Sequence, residues 1–297
     1  MNDAQATVES LTQSAPAKIN LALHVTGRRA DGYHELESVM VFAEIGDELT
    51  AVPAAADRLR ITGPFGKGLE SDGNNLVSRA VAAFRTRWPG HVPYGLDMTL
   101  SKNLPVAAGL GGGSADAAAA LRLMAGLGQT QIPPEDLIDL AAGLGADVPA
   151  CLISAPLVAR GIGEIMRPLA AFPTCHVVLV NPLLPVATAE VFRRLENRVN
   201  PPLPALPEPM TRPAQLGIWL KETRNDLEAP AIALVPVIGD LIARLGGTPG
   251  CMLARMSGSG ATIFGLFGST AQAHQAAHEL RQAYADYWVA AAPLICP

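Results

Sequence analysis

"LPVAAGLGGGSADAAAALRLM", residues 104–124, sets four glycines in five positions (109 and 111–113) and then runs into alanines. Glycines remove side chains and open backbone conformations closed to other residues. The stretch beyond Ser114 holds strong helix formers with an apolar face, so a helix begins here. A glycine loop feeding a helix N-terminus presents free N–H groups and the positive end of a helix dipole, which suits phosphate. A tight turn before a close-packed helix is the plainer alternative. The loop fits neither common nucleotide fingerprint. There is no GxxxxGK[ST], and GxGxxG fails where Ser114 stands.

Around this loop, 297 residues suffice for one large domain or two smaller ones. A hydrophobic fraction of 49% with 16% charged residues describes a globular chain. The net charge of −5, without a long basic run, argues against nucleic acid as a partner, and so does the scarcity of aromatics. The start is polar and acidic, and the longest apolar stretches fall short of a membrane span. Cys151, Cys175, Cys251 and Cys296 form no CxxC pair, so neither zinc nor a disulfide framework is indicated. A soluble cytoplasmic protein with no membrane partner is expected, a homodimer being possible.

The first 15 residues read as a loose tail. Alternation in "AKINLALHV" predicts a strand over 17–25, with Ile19, Leu21, Leu23 and Val25 on one face and Lys18 and Asn20 on the other. Further strands are expected at 37–43, 47–52, 59–62 and 95–102, and helices at 75–88, 114–127 and 134–144. The segment 159–180 reads as β-rich, followed by a helix around 188–197. Six prolines in thirteen residues make 201–213 a rigid extended connection. The end reads as strand, turn, strand around 254–267, then a helix over 270–287. Without regular strand–helix alternation or a repeat, α+β layers are favoured over a doubly wound sheet.

With these elements in place, three motifs resemble the GHMP kinases in order: "PAKINLAL" at 16–23, the glycine loop itself, and "MSGSGATIFGLF" at 256–267. "GRRADGYHELESV" at 27–39, "GADVPACL" at 145–152 and "RNDLEAP" at 224–230 are similar to a branch that phosphorylates the 2-hydroxyl of a methylerythritol carried on cytidine diphosphate. The resemblance implies an α+β, two-domain fold. Its N-terminal domain, 1–158, is like the second domain of ribosomal protein S5, and its C-terminal domain, 159–297, is ferredoxin-like. It also implies ATP with Mg²⁺ as cofactors and a small cytidyl substrate.

Residue by residue, the resemblance makes Asp147 the group that orients the acceptor hydroxyl and takes its proton, although a loop-capping carboxylate is an ordinary alternative. Lys18, in isolation an ordinary surface lysine, would keep Asp147 ionised and steady the developing alkoxide, with Asn20 beside it. ATP would lie along Pro105, Ala108, Gly109, Leu110, Gly111, Gly112, Gly113 and Ser114, with Asn75 and Lys102 around the adenosine. Ser114 would touch phosphate or the Mg²⁺ shell, or cap the helix, and Asp116 is expected to point away from the triphosphate. Tyr33 and His34, which in isolation read as a turn packing against the domain, would by the resemblance recognise cytosine, with Phe192 stacking and Thr188 nearby. Ser257, Gly258, Ser259 and Gly260 would close near the substrate's phosphates or form a plain hairpin. No dedicated metal ligands are predicted. A homoserine- or mevalonate-type kinase would have no need of "DGYH". A dinucleotide oxidoreductase is disfavoured by the failed fingerprint, and a catalytically dead nucleotide sensor by the presence of Lys18 and Asp147.

Overall fold

The computed structural model describes residues 10–128 and 130–296. Its first elements are β1 (Leu11–Arg28), β2 (His34–Ala54), β3 (Arg58–Thr62), α1 (Leu76–Arg87), β4 (Gly95–Ser101), α2 (Gly112–Leu127), α3 (Pro134–Ala142) and α4 (Val148–Ile153). There follow β5 (Leu157–Gly161), β6 (Ile165–Pro168), β7 (His176–Asn181), α5 (Thr188–Arg193), α6 (Pro213–Leu220), α7 (Glu228–Leu234) and α8 (Val237–Gly246). The chain ends with β8 (Cys251–Met256), β9 (Ile263–Phe267), α9 (Thr270–Ala283) and β10 (Trp288–Pro293). The fold is α+β, and the elements gather into two compact units with interleaved chain segments.

The first unit comprises 10–15, Gly46–Asn103 and Gly113–Leu152. Within it β4 pairs antiparallel with the second half of β2, from Glu48↔Ser101 to Ala54↔Gly95, and parallel with β3. Helix α1 buries Val77, Ala80, Val81 and Phe84, the spacing of one helical face. Helix α2 is buried nearly all round from Ala115 to Met124. Its alanines explain this: a helix surrounded by neighbours needs a slim, uniformly apolar surface.

The second unit comprises Pro16–Ile45, Leu104–Gly112 and 153–296. Its antiparallel sheet has the order β10-β7-β9-β8 and is buried on both faces. Alternation sorts the side chains. Val178, Val180, Ile263 and Phe267 pack with Ile238, Leu241 and Leu245 of α8 and with Ala273, Ala277 and Leu280 of α9. Val177, Leu179, Phe264 and Leu266 join Ile19 and Leu21 of β1, Val39 and Val41 of β2, and Trp219 of α6. Such a period-two split is what a doubly covered sheet requires.

Several sequence expectations need correction. The strand expected at 17 begins at Leu11, so part of the supposed tail is structured. The strands expected at 37–43 and 47–52 are one, because a single Gly46 does not break a strand whose halves each find a partner, β5 for one and β4 for the other. The helix over 114–127 starts earlier, at Gly112. The helices expected to reach 197 and 287 stop at Arg193 and Ala283. Helices α4, α6, α7 and α8 and strand β10 were not anticipated.

Candidate active site

The first surprise is β1, which is buried on both faces from Ala15 to Val25. The face opposite Ile19 and Leu21 holds Lys18, Asn20 and His24, only 5%, 2% and 0% exposed. Polar groups are buried at such cost only with partners or a task. Lys18 lies against the first glycine loop. Its backbone N–H donates to the Leu110 carbonyl at 2.9 Å, and a Cβ on Gly111 would sit 3.2 Å from Lys18 Cβ. Gly109 and Gly111 have φ of 75° and 64°, the left-handed region open chiefly to glycine.

The second glycine loop, between β8 and β9, is bound to the first. Ser257 is fully buried; its hydroxyl donates to the Gly109 carbonyl at 2.9 Å and accepts the Asn20 backbone N–H at 3.2 Å. The Thr262 N–H donates to the Ala108 carbonyl at 3.2 Å. A Cβ on Gly109 would meet the Ser257 carbonyl oxygen at 2.4 Å. Glycine at 109 is therefore required by loop-on-loop packing, whatever the loop binds. Asn225, from "RNDLEAP", donates from Nδ2 to the carbonyls of Met256 at 2.9 Å and Gly258 at 2.8 Å, fixing the second loop from outside. Gly258 and Gly260 take positive φ there, and the hydroxyls of Ser259 and Thr188 meet at 2.8 Å. Asn20 donates from Nδ2 to Ser38 Oγ at 2.8 Å, yet its Oδ1 is buried without a partner. That oxygen lies 3.3 Å from where a Gly258 Cβ would stand.

Also in the second unit, His34 and Phe192 stack with centroids 5.0 Å apart and planes 28° off parallel. His34 Nε2 is buried and has no hydrogen-bond partner. Burial, then the charges of Arg28 and Arg198, hold its imidazole below the usual range, so it is neutral at pH 7. Tyr33 is 62% exposed, with its N–H tied to Asp31 Oδ1 at 3.1 Å.

In the first unit, Asp147 is half-buried directly before α4, its carbonyl accepting the Cys151 N–H at 3.0 Å. Pro149 suits the opening turn of that helix. Ser114 is the third residue of α2, and beside it Gly113 is exposed. Asn75 is the N-cap of α1, its Oδ1 accepting the Val77 N–H at 2.9 Å and its Nδ2 donating to the Glu70 carbonyl at 2.9 Å.

Lys102 is buried with its ammonium bonded to Asp47 and, at 2.6 Å, to Asp116. Its backbone N–H and carbonyl are bonded to Thr62 and Phe65. Asp116 thus points inward to an ion pair. Burial works against the Lys102 charge, but the two carboxylates more than offset it and raise its pKa. Burial pushes Asp116 up to about 7. Pro105, Ala108 and Leu110 are buried, leaving their backbone as the surface they offer.

Two family models match the chain: GHMP kinases N terminal domain over residues 75–155, and GHMP kinases C terminal over 203–286. Relatives named 4-diphosphocytidyl-2-C-methyl-D-erythritol kinase match nearly end to end. That of Chelativorans sp. (strain BNC1) is 47% identical over 93% of this chain and 94% of its own. That of Agrobacterium fabrum is 50% identical over 91% of each. The chain belongs to the GHMP kinase family, in its 4-diphosphocytidyl-2-C-methyl-D-erythritol kinase branch. A crystal structure of 4-(cytidine 5'-diphospho)-2C-methyl-D-erythritol kinase is similar with a TM-score of 0.77 and 35% identity, covering 96% of this chain and 99% of that one. Homoserine kinase from Cytophaga hutchinsonii shares the fold at a TM-score of 0.70 and 18% identity, covering 99% and 100%.

Sequence reasoning gave this GHMP kinase no role for Asn225, Asp47 or Arg255. Arg255 is buried and spends its guanidinium on the carbonyls of Leu21, Leu220 and Thr223 and on Thr223 Oγ1. The quoted "RNDLEAP" held a signal for Asn225; Asp47 and Arg255 had none. Among the described residues no group of three His, Cys, Asp or Glu side chains is placed to hold a metal ion, and no helix is long and apolar enough to cross a membrane.

Proposed function

We propose that this GHMP kinase, acting in the cytoplasm, transfers the γ-phosphoryl group of ATP to the 2-hydroxyl of 4-(cytidine 5'-diphospho)-2-C-methyl-D-erythritol. The products are the 2-phosphate and ADP, in the non-mevalonate route to isoprenoid precursors. The observation carrying the acceptor is His34 Nε2, a buried ring nitrogen with no protein partner beside the Phe192 ring. A neutral imidazole nitrogen beside an aromatic ring is suited to the polar edge of a base, and Phe192, with exposed Tyr33, to its faces.

In this reading Asp147 takes the proton of the acceptor hydroxyl as the new O–P bond forms and the bond to the ADP oxygen breaks. Lys18 steadies the negative charge passing between these atoms. The free N–H groups at the start of α2, around Gly111, Gly112, Gly113 and Ser114, receive ATP phosphates. Gly109 and Ser257 hold the two loops together, and Asn20 Oδ1 is an acceptor for substrate. Lys102 and Asn75 shape the adenosine side indirectly, since their side chains already have protein partners. Mg²⁺ would neutralise phosphate charge. It fits as an ion borne by ATP with few protein ligands, the Ser114 hydroxyl among them. The domain division proposed is 1–158 and 159–297, with one family match on each side.

The test is phosphate transfer from ATP to a panel of alcohols with and without a cytidyl group. Transfer restricted to the cytidyl methylerythritol is expected, and equal transfer to uridyl or nucleoside-free alcohols would sink the assignment. Asp147→Asn should fold normally and lose about 100-fold or more in turnover.

A further inference from the structure

The stacked pair at His34 has a cationic border that the reading above leaves unused. Arg198 buries its Nε without any acceptor. It lies in the segment after α5, the helix that carries Phe192. Asn200 fastens that segment to the end of β1, donating from its backbone N–H to the Val25 carbonyl at 3.0 Å and from Nδ2 to the same carbonyl at 3.1 Å. Arg28 is the last residue of β1, and its Nε donates to the Gly32 carbonyl at 3.4 Å. Both guanidiniums bear electrostatically on the His34 ring.

Several carboxylates on the neighbouring segments are already paired, whereas Glu35 and Glu196 have no ion pair among the described residues. Asp31 pairs with Arg29 at 3.4 Å, Glu190 with Arg193 and Arg194, and Asp226 with Arg224. In a chain of net charge −5, two arginines lacking an acidic partner among the described residues act on the ring whose nitrogen is open. A buried guanidinium N–H without an acceptor is costly to leave so, and a guanidinium edge matches the paired oxygens of a phosphate.

We propose that Arg198, assisted by Arg28, binds the diphosphate of the nucleotide-linked alcohol, next to the base held at His34 and Phe192. The inference rests on the cytidyl reading above and deepens it. Arg198, with its buried Nε, carries more of the binding than exposed Arg28, whose contact is screened by water.

The test compares wild type with R198Q, R198K and R28Q for inhibition by cytidine, CMP, CDP and inorganic pyrophosphate, and for KM of ATP. In R198Q the CDP inhibition constant and the KM of the cytidyl alcohol should rise about tenfold or more, the scale of a charged hydrogen bond. Cytidine inhibition should move less than about twofold, R28Q should show a smaller rise, and R198K should fall between R198Q and wild type. The effect should fall on KM far more than on kcat.

Equal weakening of cytidine and CDP would mark Arg198 as structural and overturn the proposal. Unchanged CDP binding would do the same. A raised KM for ATP with CDP unmoved would assign the cations to the donor's phosphates and also overturn it. A wild type indifferent to cytosine or uracil would count against the His34 reading alone, because the diphosphate-to-nucleoside ratio decides the arginine role whichever base is read.

Discussion

The Lys102 cluster in one unit and the His34–Phe192 pair in the other both bury polar atoms, on opposite plans. Lys102, Asp47 and Asp116 bond to one another, and the Asn103 N–H closes on Asp47 at 2.5 Å. One oxygen, Asp116 Oδ1, is left over. Around the stacked pair, His34 Nε2 and Arg198 Nε are both buried and both without protein partners. Partners found within the protein mark a group that holds the fold. Their absence marks a group that pays its desolvation cost for something not yet bound. The contrast is a claim about consequences: breaking the first cluster should cost stability, and breaking the second should cost binding.

The largest effect is expected at Lys102. Lys102→Met removes the buried cation that Asp47 and Asp116 share and leaves carboxyl groups in the interior without it. Removing one partner of a buried pair typically costs about 3–5 kcal/mol. Chemical denaturation should show a loss of that order. A variant of wild-type stability that had lost ATP affinity would reverse the assignment and make Lys102 a direct nucleotide ligand.

His34→Ala is the converse and should act on a smaller scale. It removes one ring from a stacked pair, worth about 0.5–1.5 kcal/mol beyond its burial, so the melting transition should move little. The KM for the cytidyl substrate should rise tenfold or more, because the polar edge of the base would go unpaired. Steady-state kinetics alongside thermal melting checks both halves. A large loss of stability with substrate affinity intact would place His34 with the structural group.

These clusters also show where sequence reading stops. Alternation located β1 and placed Lys18 and Asn20 on one face, because side-chain parity is local information. It could not show that this face is buried too, since what covers it comes from far along the chain. The glycine loop was legible as a loop before a helix. The reason for Gly109 was not: the atom that excludes a side chain there is the carbonyl of Ser257, 148 positions away. Asp47, Lys102 and Asp116 sit on two strand-rich segments and a helix, and no spacing rule links them. The short helices α6 and α8 were masked by their own prolines. Pro213 and Pro236 stand at the first turn or cap, where proline is tolerated but reads as a breaker. Strand β10 is alanine-rich and gains its structure by pairing with β7.

A further expected effect appears only as pH is varied, and it falls on the one unpartnered oxygen of the otherwise satisfied cluster. Burial raises the Asp116 carboxyl to about 7 in the folded protein, against 3.8 as its ordinary value. Between these two values the folded state keeps a proton that the unfolded chain has released. This group's contribution to stability is therefore fully present below about 3.8 and is lost as pH rises through about 7. Asp116→Asn keeps the shape and one bond to Lys102 but removes the titration. Relative to wild type it should be nearly neutral at pH 4 and gain steadily up to pH 8, as measured by denaturant midpoints across that range. His34 works in the other direction: its lowered pKa supports the fold above the usual histidine range, and that support is lost as pH falls through the folded value. The difference between Asp116→Asn and wild type isolates the carboxyl from this opposing slope. A difference that stays flat from pH 4 to 8 would mean that Asp116 remains ionised beside Lys102 throughout, and that the leftover oxygen is satisfied after all.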